Sequence, residues 1–300
     1  MNKTAFIAIV GRPNVGKSSL LNLLLGQKIA IVSSKPQTTR TRIMGVLTEG
    51  NTQLVFIDTP GLHKPRNDLD KFMLRSVNES VAGVDACLLV VEADHDVCEE
   101  EIQLIEKFRS MELPAILAIN KIDTVADKTK LASQIAQLSS LYDFAAIVPC
   151  SARTGSGIAD LKQELQGFAY ESDFLFDEDT LTDQPERVLA AEMIREKLLR
   201  LLEREVPHGA AVFIERMKER PDVSIIDMDA VIYCERDSHK GIIIGKGGSM
   251  LKKIGTFARQ DMERFFHCKV NLQLWVKVKE DWRNREAILR SLGYDERNFD

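Results

Sequence analysis

An α/β unit with a doubly wound, mostly parallel sheet, followed by a smaller α+β unit, is the fold class that this 300-residue chain predicts. Three observations carry it. Five short apolar runs alternate with helix-spaced stretches through the first half. A glycine-rich loop stands between the first run and the first helix. Beyond an acidic stretch at residues 171–186 the order changes to helix, two strands, glycine-rich loop, helix and strand. The length suits two domains at roughly 100–200 residues each.

The apolar runs are residues 6–10, 54–57, 87–91, 115–119 and 146–148, each followed by loop residues and then by helical spacing, as at 18–25. Repeated βα units imply parallel strands with helices on both faces, and ligands at the carboxyl ends of those strands. Residues 171–186 lack helical or strand periodicity and read as a linker between domains 1–170 and 187–300. Residues 187–204 place Val188, Ala191, Ile194, Leu198, Leu201 and Leu202 at the spacing of an amphipathic helix. Residues 210–214 and 223–233 read as strands, and the last strand is 270–278. Before it runs a helix with Leu251, Ile254, Ala258 and Met262 on one side. Phe265, Phe266 and Trp275 are expected to pack in the core, and Trp282 has no assignment.

Composition narrows the class further. No segment approaches the roughly 20 apolar residues of a membrane span, and the N-terminal apolar stretch runs straight into the glycine-rich loop, as a core strand does. Cys87, Cys98, Cys150, Cys234 and Cys268 lack CxxC pairing, so neither a disulfide framework nor a zinc site is expected, and a reducing, cytosolic compartment fits. Residues 1–180 hold 18 basic against 24 acidic side chains, net −6, whereas residues 181–300 are net +1. Within the latter, residues 239–279 carry nine basic residues against Asp261 and Glu263, a local excess of +7. Such a stretch is a candidate surface for a phosphate backbone, although a charge run alone is more often a solvated face.

In the first half, Gly11–Ser18, Asp58–Leu62, Asn120–Asp123 and Ser151–Ala152 each lie just after one of the apolar runs. Gly11-Arg12-Pro13-Asn14-Val15-Gly16-Lys17-Ser18, with Ser19 behind it, has the GxxxxGKS spacing that wraps nucleotide phosphates in backbone N–H groups and a helix N-terminus. Lys17 would reach the β- and γ-phosphates, and Ser18 would ligate Mg²⁺. Asp58-Thr59-Pro60-Gly61 places a second Mg²⁺-binding group, Asp58, at a strand end, with the Gly61 N–H able to sense the γ-phosphate. Between them a polar loop at residues 35–42 offers Thr38 and Thr39 hydroxyls to the same ion. Asn120-Lys121-Ile122-Asp123 selects the base. Guanine presents two adjacent donors to the Asp123 carboxylate, and adenine would leave that charge unpaired. Ser151 and Ala152 follow the last run and would bring a backbone N–H to the guanine edge. GTP, GDP and Mg²⁺ are therefore the expected ligands.

Gly245-Lys246-Gly247-Gly248, preceded by Ile242, Ile243 and Ile244 and followed by Lys252 and Lys253, is a GxxG loop inside the basic stretch. Alone, GxxG is usually a tight turn. In this context its glycines would let backbone approach the phosphates of a single-stranded nucleic acid.

Taken in order, the five loops resemble the translation-factor-like GTPases over residues 4–170, and the second half resembles a type II KH domain. On that resemblance Thr39, ahead of Thr38, is the metal and γ-phosphate contact, and Lys17, Thr39 and Gly61 form the catalytic set. Leu62 stands where related enzymes orient water with glutamine, so slow intrinsic hydrolysis is implied. Asn14 matches an asparagine that some relatives use to hold K⁺. GRPNVGKS, KPQTTR, DTPGL and NKID, with one C-terminal KH-like unit ending in LQLWVKVKEDW and RSLGY, together resemble the Era family of bacterial GTPases. The resemblance implies binding of the 16S ribosomal RNA 3′ end, 30S subunit assembly, a monomer, and a fraction peripheral at the inner membrane. The competing expectation is a GTP-regulated module for a protein or membrane partner, without RNA function.

Overall fold

The computed structural model describes residues 1–61, 67–221, 223–292 and 294, so the Leu62 expectation lies outside the described residues. The chain forms two compact units. One comprises Met1–Ala30, Thr39–Lys64 and Met73–Asp183, and the other Ile31–Thr38, Pro65–Phe72 and Gln184–Asp300.

The first unit runs β1 (Lys3–Val10), α1 (Lys17–Leu25), β2 (Ile43–Glu49), β3 (Thr52–Asp58), α2 (Asp68–Val81, of which the start through Phe72 counts with the other unit), β4 (Ala86–Glu92), α3 (Glu99–Ser110), β5 (Ala115–Asn120), α4 (Lys128–Leu141), β6 (Ala146–Pro149), α5 (Ile158–Gln166) and β7 (Tyr170–Glu171). Strand order is β2-β3-β1-β4-β5-β6, parallel except for β2, which pairs antiparallel with β3. Strands buried on both faces read as continuous apolar runs, which is why β1, β4 and β5 were visible in the sequence. Ala8, Val10, Leu89, Val91, Leu117 and Ile119 meet Leu104, Ile105 and Phe108 of α3 and Leu138 of α4 in one core. The sheet order reverses direction at β1, whose neighbours are β3 and β4, and this opens a crevice at its carboxyl end.

The acidic stretch belongs largely to this unit. β7 pairs with β1, and Gln53 on β3 accepts from the Leu175 and Phe176 amides at 2.9 and 3.1 Å. The Val46 amide donates to the Leu181 carbonyl at 2.9 Å. Residues 171–183 are thus tied to the first sheet through backbone, in a manner that no side-chain periodicity advertises.

The second unit contains α6 (Glu186–Leu201), β8 (Ala211–Glu219), β9 (Ile225–Cys234), α7 (Asp237–Ile244), α8 (Ser249–Phe265), β10 (Lys269–Val278) and α9 (Glu286–Ser291). Its sheet, β10-β9-β8, pairs β10 parallel and β8 antiparallel to the central β9, with an irregularity between Ile214 and Arg216. Ile194 and Leu198 of α6 and Ile254, Ala258 and Met262 of α8 pack with Met228, Ala230, Ile232 and Cys234 of β9. The four-residue spacing on α8 makes one apolar stripe, as expected, and Phe265 and Phe266 pack against the same cluster.

One tryptophan differs from expectation, and the other had none. Trp275 is 42 % exposed, because Val276 takes the core side and alternation turns its neighbour outward. Trp282, without assignment in the sequence, is fully buried, donates its indole N–H to the Gly209 carbonyl at 3.0 Å, and stacks on Tyr294.

Candidate nucleotide site and nucleic-acid interface

β1 delivers the phosphate loop, β3 the Asp58 loop, β5 the Asn120 loop and β6 the Ser151 loop to the same edge of the sheet. α1 begins after Gly16 without a side-chain cap and without an acidic residue in its first turn, so its positive end and unpaired N–H groups are available to an anion. Gly16 has φ 105°, and a Cβ there would lie 2.1 Å from Asn120 Nδ2. Glycine is therefore required for the loop to close against Asn120 at the end of β5.

Lys17 is buried, and its ammonium donates to the Gly11 and Arg12 carbonyls at 2.9 Å each. Burial pulls it down to about 8, against the opposing charge of Asp58. Asp58 is wholly buried, and burial lifts its carboxyl to about 6, against the pull of Lys17 and of the Ser18 hydroxyl.

Three oxygen-bearing side chains meet in this corner. Ser18 Oγ donates to Asp58 Oδ2 at 2.5 Å and lies 2.9 Å from Thr39 Oγ1. Asp58 Oδ1 is buried without a hydrogen-bond partner. A hard divalent cation with oxygen ligands fits this set, and the orphaned carboxylate oxygen is the observation that favours it. Gly61 lies against the phosphate loop, where a Cβ would stand 2.6 Å from the Pro13 backbone. Thr59 anchors that approach by donating its hydroxyl to the Ile9 carbonyl at 2.8 Å.

Asn120 is buried and works as a clasp. Its Nδ2 donates to the Val15 carbonyl at 2.8 Å and its Oδ1 accepts from the Ala152 amide at 2.9 Å, so three ligand-facing loops share one side chain. Asp123 accepts from the Ser151 hydroxyl and pairs with Arg153. Lys121 forms an ion pair with Glu92 at 3.0 Å. The Arg12 side chain turns away to Glu101 at 2.8 Å and His95 at 3.3 Å, leaving its backbone to the loop. Glu101 also accepts from the Cys98 amide at the start of α3. Its place three residues beyond that cap was the available signal for this buried anchor.

In the second unit the GxxG loop joins α7 to α8. Gly245, Gly247 and Gly248 all have positive φ, at 72°, 58° and 80°, and a Cβ at Gly247 or Gly248 would meet nothing within 4 Å. Lys246, Lys252 and Lys253 are exposed. The helix before the loop, α7, is absent from the order read in the sequence, which takes the chain from the second strand straight to the glycine-rich loop. Ile243 is buried and Ile242 is 49 % exposed. Among the described residues, no cluster of three or more His, Cys, Asp or Glu side chains could hold a metal, and no helix is long and apolar enough to cross a membrane.

A glycine-rich loop of the phosphate-binding kind at a switch point, the Asn120–Asp123 loop beside it and a separate GxxG unit define a GTPase joined to a KH-type domain. Comparison with known proteins agrees. Residues 6–121 match the family model described as 50S ribosome-binding GTPase, and residues 205–283 match the KH domain model. The chain is 50 % identical to GTPase Era of Clostridioides difficile over 297 residues, covering 99 % of this chain and 100 % of that one. It is 49 % identical to GTPase Era of Ruminiclostridium cellulolyticum over 292 residues, covering 97 % of each. Among solved structures, Era in complex with MgGDPNP and nucleotides 1506–1542 of 16S ribosomal RNA is similar with a TM-score of 0.93 at 37 % identity, covering 98 % of this chain and 99 % of that one. A tyrosine-to-alanine variant of Aquifex aeolicus Era bound to GDP·AlF4− is similar with the same TM-score, 0.93, at 37 % identity, covering 97 % and 99 %. The chain belongs to the Era family of GTPases.

Proposed function

We propose that this protein is a GTP-hydrolysing switch whose KH unit binds the 3′ end of 16S ribosomal RNA during maturation of that RNA and assembly of the 30S subunit. The observation that carries the reading is the presence, on one chain, of a closed oxygen-lined corner at Ser18, Thr39 and Asp58 and an unobstructed GxxG loop at residues 245–248. The Era structure solved with MgGDPNP and a 16S RNA fragment supports it. The reading includes GTP, GDP and Mg²⁺ as ligands, action as a monomer and a cytoplasmic location. A peripheral inner-membrane fraction rests on the family resemblance.

Phosphoryl transfer to water asks a protein mainly for positioning and charge stabilisation. Ser18, Thr39 and Asp58 would hold Mg²⁺, which would supply charge compensation to the phosphate oxygens. The chain's own residues do the rest. Lys17 exchanges the Gly11 and Arg12 carbonyls for phosphate oxygens, keeping its proton because the new partner is anionic. Backbone N–H groups of the loop and the α1 terminus hold the phosphates in line, and the Thr39 and Gly61 N–H groups meet the γ-phosphate. Asp123 accepts the guanine donors, with Ser151 and Asn120 fixing its surroundings.

Gly247→Asp tests the division of labour. Bulk and negative charge at the clamp should lower affinity for a single-stranded RNA of the 16S 3′ sequence by roughly 100-fold or more, since like charges in contact cost several kcal/mol. GTP affinity and hydrolysis should stay unchanged. RNA binding retained by this variant would overturn the RNA assignment.

A further inference from the structure

We infer that Arg195 of α6 is a positioning residue for GTP hydrolysis, acting through Thr39. The inference rests on the reading of Thr39 as the metal and γ-phosphate contact.

The segment Ile31–Thr38 belongs to the second unit, where side chains of α6 grip its backbone. Val32 is held at both ends of its peptide groups. Its amide donates to Glu196 Oε1 at 3.1 Å, and its carbonyl accepts from Arg200 Nε and Nη2 at 3.1 and 2.9 Å. Lys35 donates to the Leu202 carbonyl just past the helix end. Arg195 then holds the far end of the segment, donating Nη1 to the Gln37 carbonyl at 3.4 Å and Nη2 to the Thr38 carbonyl. Its guanidinium is buried, with Nε on Glu192 Oε1 at 2.7 Å and Nη2 on the other oxygen of the same carboxylate. A planar fork locked by a carboxylate presents its remaining hydrogens in a fixed direction, which an ammonium on a flexible stem cannot do. α6 is a firm base for this, since buried Lys197 joins Glu196 at 2.7 Å to Asp261 on α8, the helix that follows the GxxG loop. Gln37, at φ 59°, also donates its amide to Asp70 Oδ1 at 2.7 Å, so the segment is fastened to the start of α2 within the same unit.

The consequence is set by peptide planarity. The Thr38 carbonyl and the Thr39 N–H belong to one rigid amide plane and point in opposite directions. A guanidinium that captures the carbonyl therefore aims the N–H. Three bonds beyond that nitrogen, through Cα and Cβ, the Thr39 hydroxyl lies 2.9 Å from Ser18 Oγ. Freeing the Thr38 carbonyl would let that plane rotate and withdraw both Thr39 groups from the phosphate corner, and displacement by about 1 Å is enough to cost on the order of 100-fold in rate.

The test is single-turnover GTP hydrolysis by the full-length chain carrying Arg195→Met, Arg195→Lys, Thr39→Ala and the Arg195→Met, Thr39→Ala pair, with GDP affinity measured alongside. Arg195→Met should slow hydrolysis by about 10- to 100-fold while GDP affinity stays within about twofold, because GDP lacks the γ-phosphate that the Thr39 N–H meets. Arg195→Lys should fall between the two, and the double variant should be no slower than Thr39→Ala alone. Losses that multiply in the double variant, or normal hydrolysis by Arg195→Met beside slow Thr39→Ala, would overturn the role of Arg195. Normal hydrolysis by Thr39→Ala would instead remove the reading on which it stands. If Arg195→Met loses GDP affinity through misfolding, the same cycle with Arg195→Lys decides.

Discussion

Two glycine-rich loops in this chain each run into the first turn of a helix, and they use glycine for opposite purposes. Gly16 and Gly248 both precede their helices in the left-handed region, without side-chain caps. Around the phosphate loop, the volume that a Cβ would fill is already occupied by protein: Asn120 beside Gly16, Val90 beside Gly11. At Gly247 and Gly248 it is open. Lys17 is folded back onto carbonyls of its own loop, whereas Lys246 is exposed. The first loop is closed in by its neighbours, as the proposed compact nucleotide requires, and the second stays open, as the proposed extended RNA requires. Dense mutual constraint leaves a long, specific sequence signature, and an open clamp needs only a few permissive positions.

The difference can be broken first at the base. Asp123→Asn should weaken GTP binding by roughly 10³- to 10⁴-fold and improve xanthosine triphosphate binding, because an acceptor becomes a donor at a site built to receive donors. Nucleotide titration of the variant checks this, and RNA binding without nucleotide should not change. Gly16→Ala should be nearly as damaging, lowering GTP affinity on the order of 100-fold, since it drives Cβ into Asn120 and displaces the clasp between loops. The matching change at Gly247 meets empty space. Gly247→Ala should cost only the left-handed backbone, about 1–2 kcal/mol in a denaturant unfolding curve, with nucleotide affinity intact. The smallest effect belongs to the flanking cations. Lys252→Ala and Lys253→Ala should each lower RNA affinity modestly, uniformly across sequences, and reduce the slope of log affinity against log salt by about one.

The same contrast explains which parts of the molecule were legible. The parallel strands of the first unit announce themselves as apolar runs because both faces are buried, and the four loops at their ends follow in order. β2 was not read, because Ile43–Glu49 is an edge strand that emerges from a polar loop and alternates weakly, with Gly45 packed against Leu21 and Leu25. The face of Trp275 was legible in the alternation and overridden by the size of its ring: Val270, Leu272, Leu274, Val276 and Val278 share the core face, and Trp275 falls in register with Lys269, Asn271, Gln273 and Lys277. Residues 171–183 join the first unit through a two-residue strand and backbone contacts, which composition does not encode. The grip of α6 on the Ile31–Thr38 segment was invisible for another reason. Arg195 and its carbonyl partners stand 157 and 158 residues apart in the chain, and Arg195 taken alone is an ordinary charge on an amphipathic helix.

Both sites stand on one chain, and the account requires that they communicate. The direct measurement is the affinity of the full-length protein for a fluorescently labelled RNA of the 16S 3′ sequence, with Mg²⁺ and either GDPNP or GDP. Coupling between two sites of a switch is typically worth about 5- to 150-fold, so binding at least tenfold tighter with GDPNP is the expected result. Equal affinity in the two nucleotide states would contradict the central claim.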